Sequence, residues 1–181
     1  LAPDTDADPS RLPREAAAFA TAAQRAQLRR IVFVSDVAVH GPAPARGTNE
    51  DTPLPHHAAG TRAAACAEAE AAILAAGATN HPAACVLRAG RIYGARAPDF
   101  VRLVRQLAAG TTDRGTDVTA FNGLHVDNLV AAVRSAIAAR GADERIFIVT
   151  DTGALTSREF RRAVARQLAA SIHSSDGSSA M

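Results

Sequence analysis

The chain predicts an α/β fold with a mainly parallel sheet flanked by helices. Two observations carry this. The apolar runs Ile31-Val32-Phe33-Val34, Ala83-Ala84-Cys85-Val86-Leu87 and Arg145-Ile146-Phe147-Ile148-Val149 lack alternation, as strands buried on both faces do. Between them lie stretches with helical spacing, so the order is helix, strand, helix, strand, helix, strand, helix. The 181 residues, 48% hydrophobic and 21% charged, suffice for one ordinary domain with its own core.

Residues 1–9 are rich in Pro and Asp and read as a loop, and a domain over 10–170 follows. Ser10 is an expected N-cap with Pro13 in the first turn, and Ala16, Phe19, Ala20, Ala23 and Leu28 form one apolar face. After the strand that Ser35-Asp36 closes, 41–60 has Pro, Gly and polar residues without periodicity, which predicts a long loop. The alanine-rich stretch from Thr61 to Ala76 is a helix by propensity, ended by Gly77. Phe100, Val101, Leu103, Val104 and Leu107 mark a further helix, ended by Gly110. Val118 to Phe121 is read as a short strand. Leu129, Val130, Val133 and Ile137 give a helix opened by Asp127. Thr156-Ser157-Arg158-Glu159 has capping-box form and starts a last helix through Phe160, Val164 and Leu168. Residues 171–181, rich in Ser and Gly, are expected to be a disordered tail.

Composition excludes several functions. Twenty basic residues, all arginine, against 18 acidic ones give a formal charge of +2 without a basic patch, so nucleic acid and anionic membrane are not expected partners. Aromatics are 4%, too few for base-stacking platforms. Cys66 and Cys85 form no CxxC pair and read as buried thiols, which suits a reducing, cytoplasmic setting. There is neither an apolar run of membrane-span length nor a signal-peptide pattern at the start. His56-His57 lacks a third ligand at useful spacing, so no metal is expected.

In parallel sheets of this kind ligands lie beyond the carboxyl ends of the strands, which points to Ser35-Asp36 and to the stretch from Arg88 to Gly94. These stretches carry a resemblance. Val32-Phe33-Val34-Ser35-Asp36-Val37-Ala38-Val39-His40-Gly41 resembles the V-F-x-S-[ST]-x-x-V-Y-G of extended short-chain dehydrogenases. In register with it, Asn49-Glu50-Asp51-Thr52-Pro53 resembles E-D-T-P, Leu87-Arg88-Ala89-Gly90-Arg91-Ile92-Tyr93-Gly94 resembles L-R-x-x-x-I-Y-G, Leu124-His125-Val126-Asp127-Asn128-Leu129 resembles I-H-V-D-D-L, and Phe147-Ile148-Val149-Thr150-Asp151 resembles a late strand. The resemblance is to the NAD-dependent epimerase/dehydratase family, in its atypical members, over about residues 14 to 170.

What it implies is a Rossmann-like NAD(P)-binding fold lacking the N-terminal half with the glycine-rich turn, since no G-x-x-G-x-x-G occurs in the chain. With the start at Leu1, this leads us to expect the C-terminal portion of a longer polypeptide. The implied activity is hydride transfer between NAD or NADP and a sugar or a small alcohol or ketone. The expected cofactor-side residues are Ser35, Ala89 and Gly90, and the expected substrate-side residues are Arg88 and Tyr93. Family members use a Tyr, a Lys four residues later, and a Ser or Thr. The phenol needs a nearby cation to exchange a proton near neutrality.

Aligned on Glu70, those two positions hold Arg62 and Cys66; aligned on Gly60, they hold Ala59 and Ala63. Neither register supplies the pair. The hydroxyl position is Asp36, with Ser35 beside it, and His40 replaces the motif tyrosine, so Ser35, Asp36 and His40 are the remaining candidates for chemistry. Asp36 capping the turn and His40 as a loop residue are the structural alternatives. Arg88 could bind substrate or form an internal salt bridge, Tyr93 could be packing, and His125 and Asp127 read as structural. Arg91 and Phe121 stand where sugar-nucleotide epimerases have an Asn and a phosphate-binding Arg. The chain is therefore read as catalytically degenerate and weak in cofactor binding by itself. The alternative is a non-catalytic nucleotide-binding or interaction module. The strand from Ile31 to Val34, left as an open edge, predicts self-association.

Overall fold

The structure, a computed structural model, describes residues 8–78, 82–111, 120–151, 153 and 155–176. The chain forms two compact units, Leu1–Gly90 with Asn128–Val149, and Arg91–Asp127 with Thr150–Met181.

In the first unit a 3-10 turn, Pro9–Arg11, leads into helix α1, Leu12–Arg25. The expected helix cap at Ser10 does not form: Ser10 lies inside the turn, which Asp8 caps by accepting from the Ser10 amide at 3.0 Å, and the residue ahead of α1 is Arg11, without a side-chain cap. α1 ends with Gln27 at φ 51 and the Leu28 amide bonded to the Ala23 carbonyl. This turn leaves Leu28 43% exposed rather than on the buried face, and Phe19 also faces outward.

Strand β1, Arg30–Asp36, is followed by a 3-10 turn, Val37–His40. Helix α2, Arg62–Gly77, is capped by the Thr61 hydroxyl. Its last residue is glycine for reasons of space: a Cβ on Gly77 would lie 2.7 Å from the Ala84 Cβ. Ala84 belongs to strand β2, Ala83–Ala89. β2 pairs in parallel with β1 and with the late strand, Arg145–Val149, so the two strand ends chosen from the sequence lie side by side, Ser35 in register with Arg88 and Asp36 with Ala89.

The lack of alternation has its expected cause. Ile31, Phe33, Ala84 and Val86 pack with Ala16, Ala20, Ala69 and Ile73 of α1 and α2. Cys85 and Leu87 pack toward Ala136, with Val32, Val133 and Phe147 around them. Among the described residues β1 has β2 as its strand partner, at the edge of the sheet. The late strand is the other edge, and there the expectation of full burial fails: its residues are half-buried and Arg145 is exposed. The 41–60 loop reaches it, with Glu50 Oε1 accepting from the Ile148 amide at 2.9 Å.

The second unit holds strands β3, Arg91–Tyr93, β4, Ala120–Phe121, and β5, Gly123–His125, with helix α3, Pro98–Ala108. β3 pairs in parallel with β5. The late strand Arg145–Val149 is β6; β7, Leu155–Thr156, pairs antiparallel with β4. Residues 118 and 119 of the expected strand lie outside the described residues. The capping box forms as read, Glu159 accepting from the Thr156 amide at 2.8 Å and the Thr156 hydroxyl accepting from the Glu159 amide at 3.2 Å.

It opens helix α5, Ser157–Asp176, which continues past 170 into the stretch expected to be disordered; Ser and His lower helix propensity without breaking a helix already started. Residues 177–181 and 1–7 of the expected tail and loop lie outside the described residues. Helix α4, Val126–Ala138, begins one residue before Asp127, whose amide bonds His125 Nδ1 at 3.3 Å, so Asp127 is a first-turn residue rather than the cap. Of its expected apolar positions Val130 and Ile137 are exposed.

Candidate active site

Residues 62, 66 and 70 recur every four positions and so share one face of α2. That face meets the carboxyl end of β1. Arg62 Nε donates to Asp36 Oδ2 at 3.0 Å, and the Cys66 thiol lies beside the buried Ser35 hydroxyl. This is the arrangement the Glu70 register requires. The competing register fails because Ala59 precedes the first turn of α2 and cannot share a helix face with Ala63.

Asp36 also caps the 3-10 turn, its Oδ1 accepting from the Ala38 amide at 2.9 Å. A carboxylate and a guanidinium in mutual contact thus stand at the carboxyl end of β1.

Glu70 continues the row inward. Arg88 Nη2 donates to Glu70 Oε2 at 2.8 Å and Nε reaches both carboxylate oxygens at 3.2 Å, with both side chains 3–4% exposed. Of the two alternatives for Arg88, the structure contains the internal ion pair. His40 is buried rather than a free loop residue: Arg88 Nη1 donates to its Nε2 at 3.2 Å, which places the ring proton on Nδ1. Burial first, and then the Arg88 charge, pull the imidazole below its ordinary 6.5. His40 Nδ1 has no partner among the described residues. The Glu50 carboxyl is held below its usual range mainly by the Ile148 amide, with the Arg88 and His40 charges adding to it.

Ala89 and Gly90 are buried, and the Gly90 amide donates to the Val149 carbonyl at 2.9 Å. Tyr93 belongs to the second unit, where its hydroxyl donates to Asp151 Oδ2 at 2.7 Å; this bond and burial push the phenol up to about 12. Asp151 also accepts from the His125 amide at 3.0 Å. His57 Nε2 donates to the Val39 carbonyl at 2.8 Å, so it braces the loop. Among the described residues no cluster of three potential metal ligands forms. Sequence reasoning missed the roles of Glu50 and Asp151, which touch their partners only through tertiary structure. The four-residue spacing of Arg62, Cys66 and Glu70 was the available signal for Glu70.

Both cysteines are fully buried. Burial raises the Cys66 thiol to about 11 and raises Cys85 as well. A raised folded pKa means that the thiol form stabilises the fold below the ordinary 9.0, and that this contribution is lost as pH rises through 11. Neither thiol should react with dithionitrobenzoate at pH 8 until the chain is unfolded in urea; rapid labelling of Cys66 in the native protein would contradict this placement.

The three-stranded parallel sheet with its helices is the later part of a Rossmann-like fold, the class to which NAD-dependent epimerases and dehydratases belong. The 3-beta hydroxysteroid dehydrogenase/isomerase family model matches residues 17–166, and the chain belongs to that family. No curated protein matches it. Among solved structures it is similar to the dTDP-glucose 4,6-dehydratase DesIV of Streptomyces venezuelae, solved with NAD and TYD, at 21% identity and a TM-score of 0.77 over 89% of this chain and 51% of that one. It is also similar to the Bordetella bronchiseptica enzyme WbmG in complex with NAD, at 16% identity and 0.75 over 93% and 54%. A third is UDP-glucuronic acid 4-epimerase from Bacillus cereus in complex with NAD, at 15% and 0.73 over 83% and 50%. The chain thus spans about half the length of these structures.

Proposed function

We propose that this chain is the later half of an NAD(P)-dependent epimerase/dehydratase-like oxidoreductase site whose acid/base machinery has been replaced. The observation that carries the reading is the Asp36–Arg62 contact at the carboxyl end of β1, with Cys66 one turn further along α2. An activating lysine is absent from the chain. Hydride transfer on a sugar or a small alcohol or ketone is the activity of the fold's class, and NAD the cofactor bound in its structural neighbours.

The residues present do not fit a whole dinucleotide. The chain has no glycine turn at a helix N-terminus to receive a pyrophosphate, Ser35 and Ala89 are buried, and the Gly90 amide is engaged in the sheet. Isothermal titration of the chain with NAD and NADP should give weak binding or none, and turnover with either should be undetectable. A dissociation constant of about 10 μM or tighter, roughly −7 kcal/mol, would overturn this reading.

A non-catalytic interaction module is favoured by a separate observation, the apolar side chains of the first unit that face outward: Phe19, Leu28, Val130 and Ile137. With β1 at the sheet edge, they support self-association of the chain. Sedimentation should show concentration-dependent oligomers, and a monodisperse monomer at all concentrations would remove the proposal. Among the described residues no helix is long and apolar enough to cross a membrane. A cytoplasmic location suits the two reduced, buried thiols.

A further inference from the structure

The second unit carries a cavity of about 200 Å³. Its apolar wall is built from the rings of Tyr93, Phe100, Phe121 and Phe160. Phe121 and Phe160 stack at 4.0 Å with their planes 18° apart, and Tyr93 meets Phe160 edge-on at 5.1 Å. The rings close in because residue 123 is glycine: a Cβ there would lie 2.5 Å from Phe121 Cε1 and 3.1 Å from Tyr93 Cε1. The Tyr93 hydroxyl is engaged by Asp151, so the tyrosine offers its ring to a ligand rather than a free polar group.

The polar lining is cationic. Arg102 pairs with Asp99, while the guanidinium groups of Arg91 and Arg161 form no ion pair among the described residues. Three arginines against one aspartate leave an excess of two positive charges beside four aromatic rings.

We propose that this cavity binds a small flat organic anion, one or two fused rings bearing a single carboxylate, with the rings on the aromatic wall and the carboxylate on Arg91 and Arg161. Ring edges and faces recognise a planar ligand by offset or edge-to-face packing, and guanidinium groups hold a carboxylate with paired, charge-assisted hydrogen bonds. The volume sets the size. Sites for drug-sized ligands measure roughly 300–1,000 Å³, so this one takes something smaller than a nucleotide-sugar. Phe121 reinforces the point, since the resemblance places a phosphate-binding arginine at that position and a phenyl ring binds no phosphate. The inference concerns the second unit alone and stands whether or not the chain takes part in hydride transfer.

The test is titration of the full chain with naphthoate, naphthalenemethanol and UDP. Naphthoate should bind with a submillimolar dissociation constant, naphthalenemethanol at least tenfold more weakly, and UDP more weakly than naphthoate. Arg91→Gln and Arg161→Gln should each weaken naphthoate about tenfold, leaving naphthalenemethanol and the circular dichroism spectrum unchanged, as expected for the loss of one charge-assisted bond. No binding of naphthoate, equal binding of acid and alcohol, arginine variants without effect, or UDP binding as tightly as naphthoate would each overturn the proposal.

Discussion

Replacing Glu70 with Gln should destabilise the chain by roughly 3–5 kcal/mol, because it removes one partner of a buried ion pair and leaves the other charged. Arg88 is 3% exposed, and its remaining partner is the neutral His40 ring. Gln offers one oxygen in place of a charged carboxylate that accepts from two guanidinium nitrogens. The double variant Glu70→Leu/Arg88→Met should recover most of the loss, since well-packed apolar pairs commonly match or exceed buried ion pairs in stability. Urea unfolding checks both: the midpoint of Glu70→Gln should fall sharply with the slope unchanged, and that of the double variant should return toward the parent. A loss below about 1 kcal/mol for Glu70→Gln would mean that the pair is hydrated in solution, as exposed pairs of that small worth are.

Elements whose signal is local are legible in the sequence. β1 and β2 were legible as unbroken apolar runs because residues on both faces of those strands are packed under helices, and Thr156 with Glu159 announced a helix start through a motif contained in four residues. What failed depends on position in the sheet or on distant contacts. The apolar run of β6 looks like those of β1 and β2, yet β6 is half-buried while β1, the other edge of the sheet among the described residues, has Ile31 and Phe33 packed under α1 and α2, and no local pattern tells which edge strand a helix covers. Val130 and Ile137 sit on the helical period with Val133, but the face that meets the sheet is the one carrying Val133 and Ala136. At the candidate site, the departures from the family pattern at 36, 62 and 66 were visible one by one. Their consequence was not, because the Asp36–Arg62 contact joins residues 26 apart and exists only once α2 packs on β1.

Cys66→Lys, the substitution that would supply the missing lysine, should be among the most destabilising single changes in the chain. A lysine at this position needs room for an ammonium group and a partner for its charge. Here the thiol is fully buried, the side chain beside it is the 3% exposed Ser35, Arg62 one turn away is itself a cation, and the two carboxylates near it are already engaged, Asp36 by Arg62 and Glu70 by Arg88. An ammonium introduced there is desolvated and repelled by Arg62, and the longer side chain overfills a packed position, so a loss of at least about 4 kcal/mol is expected from burying an unpaired charge with added volume. Cys66→Ala, which only shortens the side chain, should cost far less. The pH dependence separates charge from volume. Desolvation lowers the folded-state pKa of such a lysine below its unfolded value of about 10.4, so between the two values the unfolded chain binds more protons and stability rises with pH. The gap between Cys66→Lys and Cys66→Ala should therefore narrow from pH 7 to pH 9 in parallel urea titrations. Arg62→Tyr added to Cys66→Lys should narrow it further at pH 7 by removing the neighbouring cation. A gap that stays constant across pH and is insensitive to Arg62→Tyr would show that steric overpacking alone, rather than the Arg62 charge, bars a lysine from this site.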